Sequence, residues 1–224
     1  NHSSISFEVA NGFRYPTLSE RFFSGRTPRG FVAGNEHLES ESSIGSQLII
    51  DWGNEANIRL KSSFYHYDLD NYIERYRVNE ELLSYRNLAS ADIKGFELEA
   101  DWYVSEQVEH HFSYQYQKGT DAQNEVLADL HPKKIRWSTF IYHDDLTLSN
   151  EFIYSFNVES VADSEAPRDS YFLWNLSFDF QLSTKQDIQL KINNVNNEAY
   201  FASLDEDAAL QPERNISLST TWRF

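Results

Sequence analysis

The last eleven residues, Arg214 to Phe224, alternate apolar and polar side chains without interruption and stop on an aromatic ring. Ile216, Leu218, Trp222 and Phe224 share one face with Thr220, while Ser217, Ser219, Thr221 and Arg223 share the other, because successive residues of a strand point to opposite sides. Such a strand needs an apolar medium on one side and a polar one on the other. A β-barrel in a membrane meets both demands.

The same period of two returns along the chain. Runs bounded by polar, Gly- or Asn-containing breaks predict about ten strands: Ser3–Asn11, Ser42–Trp52, Ala56–Tyr76, Ala91–Val104, Val108–Gln117, Lys134–His143, Leu146–Asn157, Ser170–Gln181, Asp187–Asn193 and Arg214–Phe224. Their connections alternate in length. Gly53–Asn54, Ser105–Gln107, Asp144–Asp145 and Ser183–Gln186 read as short turns, and Gly12–Glu41, Arg77–Ser90, Lys118–Lys133, Val158–Asp169 and Asn194–Glu213 as long loops. Outer-membrane barrels have short periplasmic turns and longer extracellular loops, so the short turns set every strand's direction. With them periplasmic, Trp52, Trp102 and Trp222 fall near the periplasmic ends of descending strands, and Trp137 and Trp174 near the outer starts of theirs, as the interfacial preference of Trp requires. The fold class expected is an all-β, antiparallel, up-and-down transmembrane barrel fragment.

Composition sets the boundaries of function. Mean hydropathy is -0.60, and no uncharged stretch approaches the ~20 apolar residues of a spanning helix, but a barrel exposes only alternate residues to lipid. The chain holds no cysteine, so disulfides and thiolate metal sites are excluded. A net charge of -16 argues against nucleic acid, which demands clustered Lys and Arg. A G-x-S-x-G elbow and an H-E-x-x-H signature are both missing from the sequence, and the adjacent His110 and His111 must point to opposite faces of a strand. The expectation is therefore not an enzyme, with neither catalytic residues nor a resident cofactor or metal. A soluble β-sandwich binding module, or less readily an outer-membrane enzyme, is the alternative.

Four segments carry a family resemblance. Gly12-Phe13-Arg14-Tyr15-Pro16-Thr17-Leu18-Ser19-Glu20-Arg21-Phe22 resembles the Phe-Arg-x-Pro box of TonB-dependent outer-membrane receptors. Gly34-Asn35-Glu36-His37-Leu38-Glu39-Ser40-Glu41 resembles their Asn-Pro-x-Leu-x-Pro-Glu box, with Glu36 and Ser40 in place of the prolines. The run from Asn87 to Glu97 is similar to the Asn-x-x-x-Ala-x-x-x-Gly-x-Glu segment, and Ile192 to Tyr200 to the Asn-Leu-x-Asp-x-x-Tyr segment, with Asn196 in place of Asp. The boxes follow the family's order, and Phe224 completes the series.

The resemblance implies that residues 1–224 form the C-terminal part of a 22-stranded, plugged barrel in the bacterial outer membrane, with the plug and first strands outside this chain. It implies TonB-energised uptake of a scarce nutrient complex, a ferric siderophore or haem. Expected partners are outer-membrane lipid and lipopolysaccharide, the plug and remaining strands, and TonB, but not nucleic acid. Arg14, Arg21, Arg26 and Arg29 cluster in the first long loop, where guanidinium groups can engage an anionic iron complex or pair with neighbouring acids. His37 and His131 are candidate haem ligands. Strand parity places Arg59, Lys61, Glu97, Glu99, Gln115, Arg136 and Lys191 in the lumen, since Arg or Lys costs roughly 2–4 kcal/mol at mid-depth in lipid.

Overall fold

The computed structural model describes residues 2–27, 30–54, 56–206 and 208–223. Among these are twelve strands: β1 (His2–Arg14), β2 (Ser24–Thr27), β3 (Gly30–Ala33), β4 (Glu41–Gly53), β5 (Ile58–Asn79), β6 (Leu82–Ser105), β7 (Val108–Asp121), β8 (Lys134–His143), β9 (Leu146–Ser155), β10 (Tyr171–Ser183), β11 (Gln186–Asn193) and β12 (Asn215–Trp222). One short helix, α1 (Leu18–Phe22), follows β1. β1 and β4 to β12 pair in chain order as an antiparallel sheet, and β2 and β3 lie off this path. β1 and β12 stand at opposite ends of the path, so the sheet is open.

The register separates the two faces as the alternation demands. One rung of directly opposed residues runs through Ile50, Ser62, Leu98, Tyr114, Ile135, Tyr154 and Phe172. The next rung, on the other face, runs through Asp51, Lys61, Glu99, Ser113 and Arg136. A slip of one residue in any pair would mix these sets. All the proposed lumen residues fall on the polar face, where Arg59 meets Asp51 at 2.7 Å, Arg136 meets Glu151 at 3.5 Å and Arg223 meets Asp187 at 2.5 Å. On the apolar face the rings follow one another across strands: Phe64 to Phe96 at 4.7 Å, Phe96 to Tyr114 at 6.0 Å and Phe152 to Trp174 at 6.1 Å. Changing Leu98 to Arg in the lipid-embedded protein should therefore cost ~2–4 kcal/mol, whereas Gln115→Arg on the polar face should stay within ~0.5 kcal/mol. Urea unfolding in phospholipid bilayers reads the difference, and equal costs would refute the assignment of faces.

Tilt follows from the same register. Trp52, Trp137 and Trp174 share one rung, yet Trp52 adjoins the short turn at Gly53 whereas Trp174 is the fourth residue of β10, far from its turn at Ser183. The rung climbs from one end of the sheet to the other, the stagger of tilted barrel strands. Two tyrosines on the polar face also depend on glycine. A Cβ on Gly95 would meet the Tyr65 ring at 2.2 Å, and one on Gly45 would meet the Tyr67 ring at 2.6 Å, so each ring lies across the bare backbone of its opposed residue.

Two expectations are corrected. Arg77–Ser90 is not a loop: β5 continues to Asn79 and β6 starts at Leu82. Beyond the apolar zone both faces meet water or other protein, so the strands no longer alternate apolar with polar, and cross-strand pairs such as Glu74 opposite Arg86 hold them instead. Gly12–Glu41 likewise contains ordered structure, with β1 running to Arg14 and then α1, β2 and β3. Thr17 caps α1 in a reciprocal capping box with Glu20. Phe224 lies outside the described residues.

Candidate functional site

At ~3.3 Å per residue, the 22 residues of β5 outreach a hydrocarbon layer that a tilted strand crosses in ~9–11 residues. The outward side of β5 carries Ile58, Leu60, Ser62 and Phe64 and turns strongly polar at His66, Asp68 and Asp70. The rest of the β5–β6 hairpin therefore projects beyond the membrane on the side opposite the short turns, and the long loops dock on it.

The first loop docks by adding a strand. β3 pairs in parallel with β6, Phe31 opposite Leu82 and Val32 opposite Leu83. Asn35 donates to the Tyr85 carbonyl at 2.9 Å, and Asn87 exchanges hydrogen bonds with the Glu39 backbone at 2.9 and 3.1 Å. Leu69, Ala91 and Leu127 form a small buried cluster with Tyr72 and Leu88 against it, which pins the loop after β7. Burial pushes the Tyr72 phenol up to about 12.

Arg75, 3% exposed, is the hub of the remaining loops. Its Nη2 lies 2.9 Å from Asp205 and 3.6 Å from Asp129, and its carbonyl accepts from Ser164 Oγ at 3.3 Å. Its side chain thus ties together the loops after β7 and β11, and its backbone carbonyl holds the loop after β9. Next to it Arg77 binds the Asp163 carbonyl at 3.0 Å and pairs with Glu206. Arg168 donates to the Ser203 carbonyl at 3.1 Å, and Glu165 and Asp205 form a β-bridge. Burial raises the Glu165 carboxyl, although the Asp129 N–H at 2.8 Å works against the rise. Burial likewise raises Glu74 against the pull of Arg86 at 2.9 Å.

Under this network lies a cavity of about 500 Å³. Phe23, Val32, Tyr85, Ala208 and Ala209 give it apolar walls, and Arg75, Asp205, Ser19 and Thr27 add polar groups. Arg75 Nε and Nη1 are buried and have no hydrogen-bond partner among the described residues. A buried donor left unsatisfied costs ~1–3 kcal/mol.

The residues singled out from sequence are arranged differently. Arg14 is held between Glu20 and Glu41, both at 2.9 Å, so it braces the loop. Burial alone would raise the Glu20 carboxyl, but the Thr17 N–H and Arg14 bring it below its ordinary value. Arg21 donates from Nε to the Glu36 carbonyl at 3.1 Å and covers the Phe22 ring. Arg26 is exposed on β2, and Arg29 lies outside the described residues. His37 is exposed, its N–H bound to Asn35 at 3.0 Å. His131 borders a separate cavity of about 420 Å³ with Lys118, Lys133 and Glu159. Among the described residues, the three ligand-type side chains close enough to share an ion are His66, Asp68 and Asp92, and neither candidate histidine joins them. Sequence reasoning missed Arg75, Asp129, Tyr85 and Asp205. The signal was the dense run Glu74-Arg75-Tyr76-Arg77 facing Ser84-Tyr85-Arg86, too charged on both faces to meet lipid.

Comparison with known proteins agrees with this architecture. The family described as "TonB dependent receptor-like, beta-barrel" matches residues 1–197. Hemoglobin-binding protein A of Haemophilus influenzae is 22% identical over 242 residues, 96% of this chain and 22% of that protein. The copper transporter OprC superposes with a TM-score of 0.86 at 13% identity, over 99% of this chain and 36% of its own. The siderophore receptor PirA of Acinetobacter baumannii superposes with 0.76 at 15% identity, over 99% and 39%. This chain thus spans between about a fifth and two fifths of these relatives. Proteins of this kind are transporters and receptors, not enzymes, and lie in the bacterial outer membrane. On its matched length, its unbroken antiparallel meander and its divided faces, the chain belongs to the TonB-dependent receptor β-barrel family.

Proposed function

We propose that the chain is the C-terminal barrel part of a receptor that imports a ferric siderophore, energised through TonB. The observation that carries this reading is the loop assembly on the β5–β6 hairpin: apolar-walled cavities held by buried ion pairs stand outside the membrane, where an iron complex first arrives. Siderophore receptors among the structural neighbours support iron as cargo; the haemoglobin-binding relative and the copper transporter make haem and copper the competing cargoes. The plug fills the lumen against the polar face, TonB acts through the N-terminal region, and lipid and lipopolysaccharide cover the apolar face. His37 and His131 take part if haem is the cargo.

Because Arg14 is committed to Glu20 and Glu41, capture of an anionic complex falls to Arg21, Arg26 and Arg29. The intact receptor, produced in cells lacking their own iron receptors, should accumulate iron from anionic ferric siderophores only when TonB is functional. Changing Arg21, Arg26 and Arg29 together to Gln should weaken binding and flatten its salt dependence, since screened attraction is lost, without loss of barrel assembly. Growth on haemin or copper alone would redirect the cargo. Unchanged binding and salt response would leave these arginines as surface groups.

A further inference from the structure

We propose that His66, Asp68 and Asp92 form a binding site for a divalent transition-metal ion of the Zn2+ or Cu2+ kind, on the outward face of the sheet just beyond its apolar zone. The inference concerns the wall of the barrel and holds whichever complex is imported. The ladder places the three ligands. His66 and Asp68 are two residues apart on β5 and so share a face, and Asp92 on β6 stands directly opposite Asp68. The His66 Nε2 and one carboxylate oxygen from each aspartate lie within 4.8 Å of one another. Ligands of a tetrahedral Zn2+ stand roughly 3.3 Å apart, a spacing that side-chain rotation alone can reach from here.

The donors select the ion. One imidazole nitrogen with two carboxylate oxygens suits Zn2+ and Cu2+, whereas Mg2+ and Ca2+ prefer shells made of oxygen alone. Charge favours a cation as well, because directly opposed carboxylates repel each other and Lys94 contacts only one of them, its Nζ 3.4 Å from Asp92 Oδ1. Asp92 Oδ2 is turned to His66 Nε2, which also lies 3.8 Å from Asp68 Oδ1. Without a metal, a proton holds Nε2 and Asp92 Oδ2 together; the ion takes that proton's place and draws in Asp68. The other residues opposed to the three are uncharged, Ser46 and Ile44 on β4 and Thr120 on β7. The Asp68 side chain is 71% exposed, so an ion enters from water without any movement of the loops.

The test titrates the intact receptor, in phosphatidylcholine nanodiscs free of lipopolysaccharide phosphate, with Zn2+ against a chromophoric chelator. One bound Zn2+ should weaken by more than about tenfold in His66→Gln and in Asp92→Asn, a loss that even an outer-sphere partner of a metal ligand produces. Asp70→Asn removes the same charge from the next outward position of β5 and should leave that ion in place. Lys94→Gln should tighten it by about two- to fivefold, the worth of an exposed ion pair, because the ammonium no longer competes for Asp92. A gain in this variant cannot come from misfolding. Zn2+ binding that His66→Gln leaves unchanged, an equal loss in Asp70→Asn, or Mg2+ held as tightly as Zn2+ would each overturn the proposal.

Discussion

Replacing Arg75 by methionine should loosen the outer loops of the intact receptor by about 3–5 kcal/mol, the usual cost of removing one partner from a buried ion pair, and leave the barrel standing. The loss is local because the Arg75 side chain is reached by two loops, through Asp205 and Asp129, whereas the membrane-spanning ladder lies further down the same strand. Amide hydrogen exchange should rise in residues 126–133 and 203–211 and stay unchanged in β7 to β10. The double change Arg75→Met with Asp205→Leu should regain much of the protection, since no Asp205 carboxylate is then left beside an apolar side chain. Exchange that rises no further in the single variant than in the double one would show that the pair does not hold the loops.

The 224-residue chain made alone should not persist as a monomeric open sheet. β1 and β12 each pair with one neighbour in the meander, so each leaves a row of N–H and C=O groups unpaired along a membrane-spanning edge, and hydrocarbon cannot satisfy them. All of β12 is exposed. Refolded into detergent micelles, the chain should aggregate, join its edges to those of another copy, or close on itself as a smaller barrel. Sedimentation and infrared spectroscopy check this outcome; a monodisperse monomer with an open sheet, stable without detergent, would rule it out.

Legibility in the sequence followed the medium. Where strands divide lipid from lumen, one side chain in two must be apolar, and β8 is matched end to end by its alternation, Lys134–His143. Where the same strands leave the membrane, the constraint ends. The outer parts of β5 and β6 carry Glu74, Arg75, Arg77 and Arg86 in a ladder whose pattern is one of charge, and the stretch Arg77–Ser90 reads as a loop. Short β2 and β3 hold too few residues for any period, and α1 is announced only by its Thr17 and Glu20 cap. The arginine cluster was visible as composition, but whether an arginine greets a ligand or braces its own loop depends on partners far off in the chain. Arg14 finds Glu41, 27 residues on, and Arg75 finds Asp205, 130 residues on.

The β5–β6 hairpin also sets an order of assembly. Its strands are joined by the two residues Glu80 and Glu81, and nearly every residue of one faces a residue of the other. Closing a loop that short costs little entropy, so the ladder can zip from Tyr76 opposite Ser84 toward Ile58 opposite Trp102 before distant parts of the chain are gathered. β7 to β12 then add one at a time to the strand just laid down, each a sequence-local step and hence fast. β4 must instead reach back across the first loop to β1, 27 residues from Arg14 to Glu41, and the docking of β3 on β6 shortens that search. The hairpin that carries the receptor's outer loops is thereby also the seed from which its wall grows.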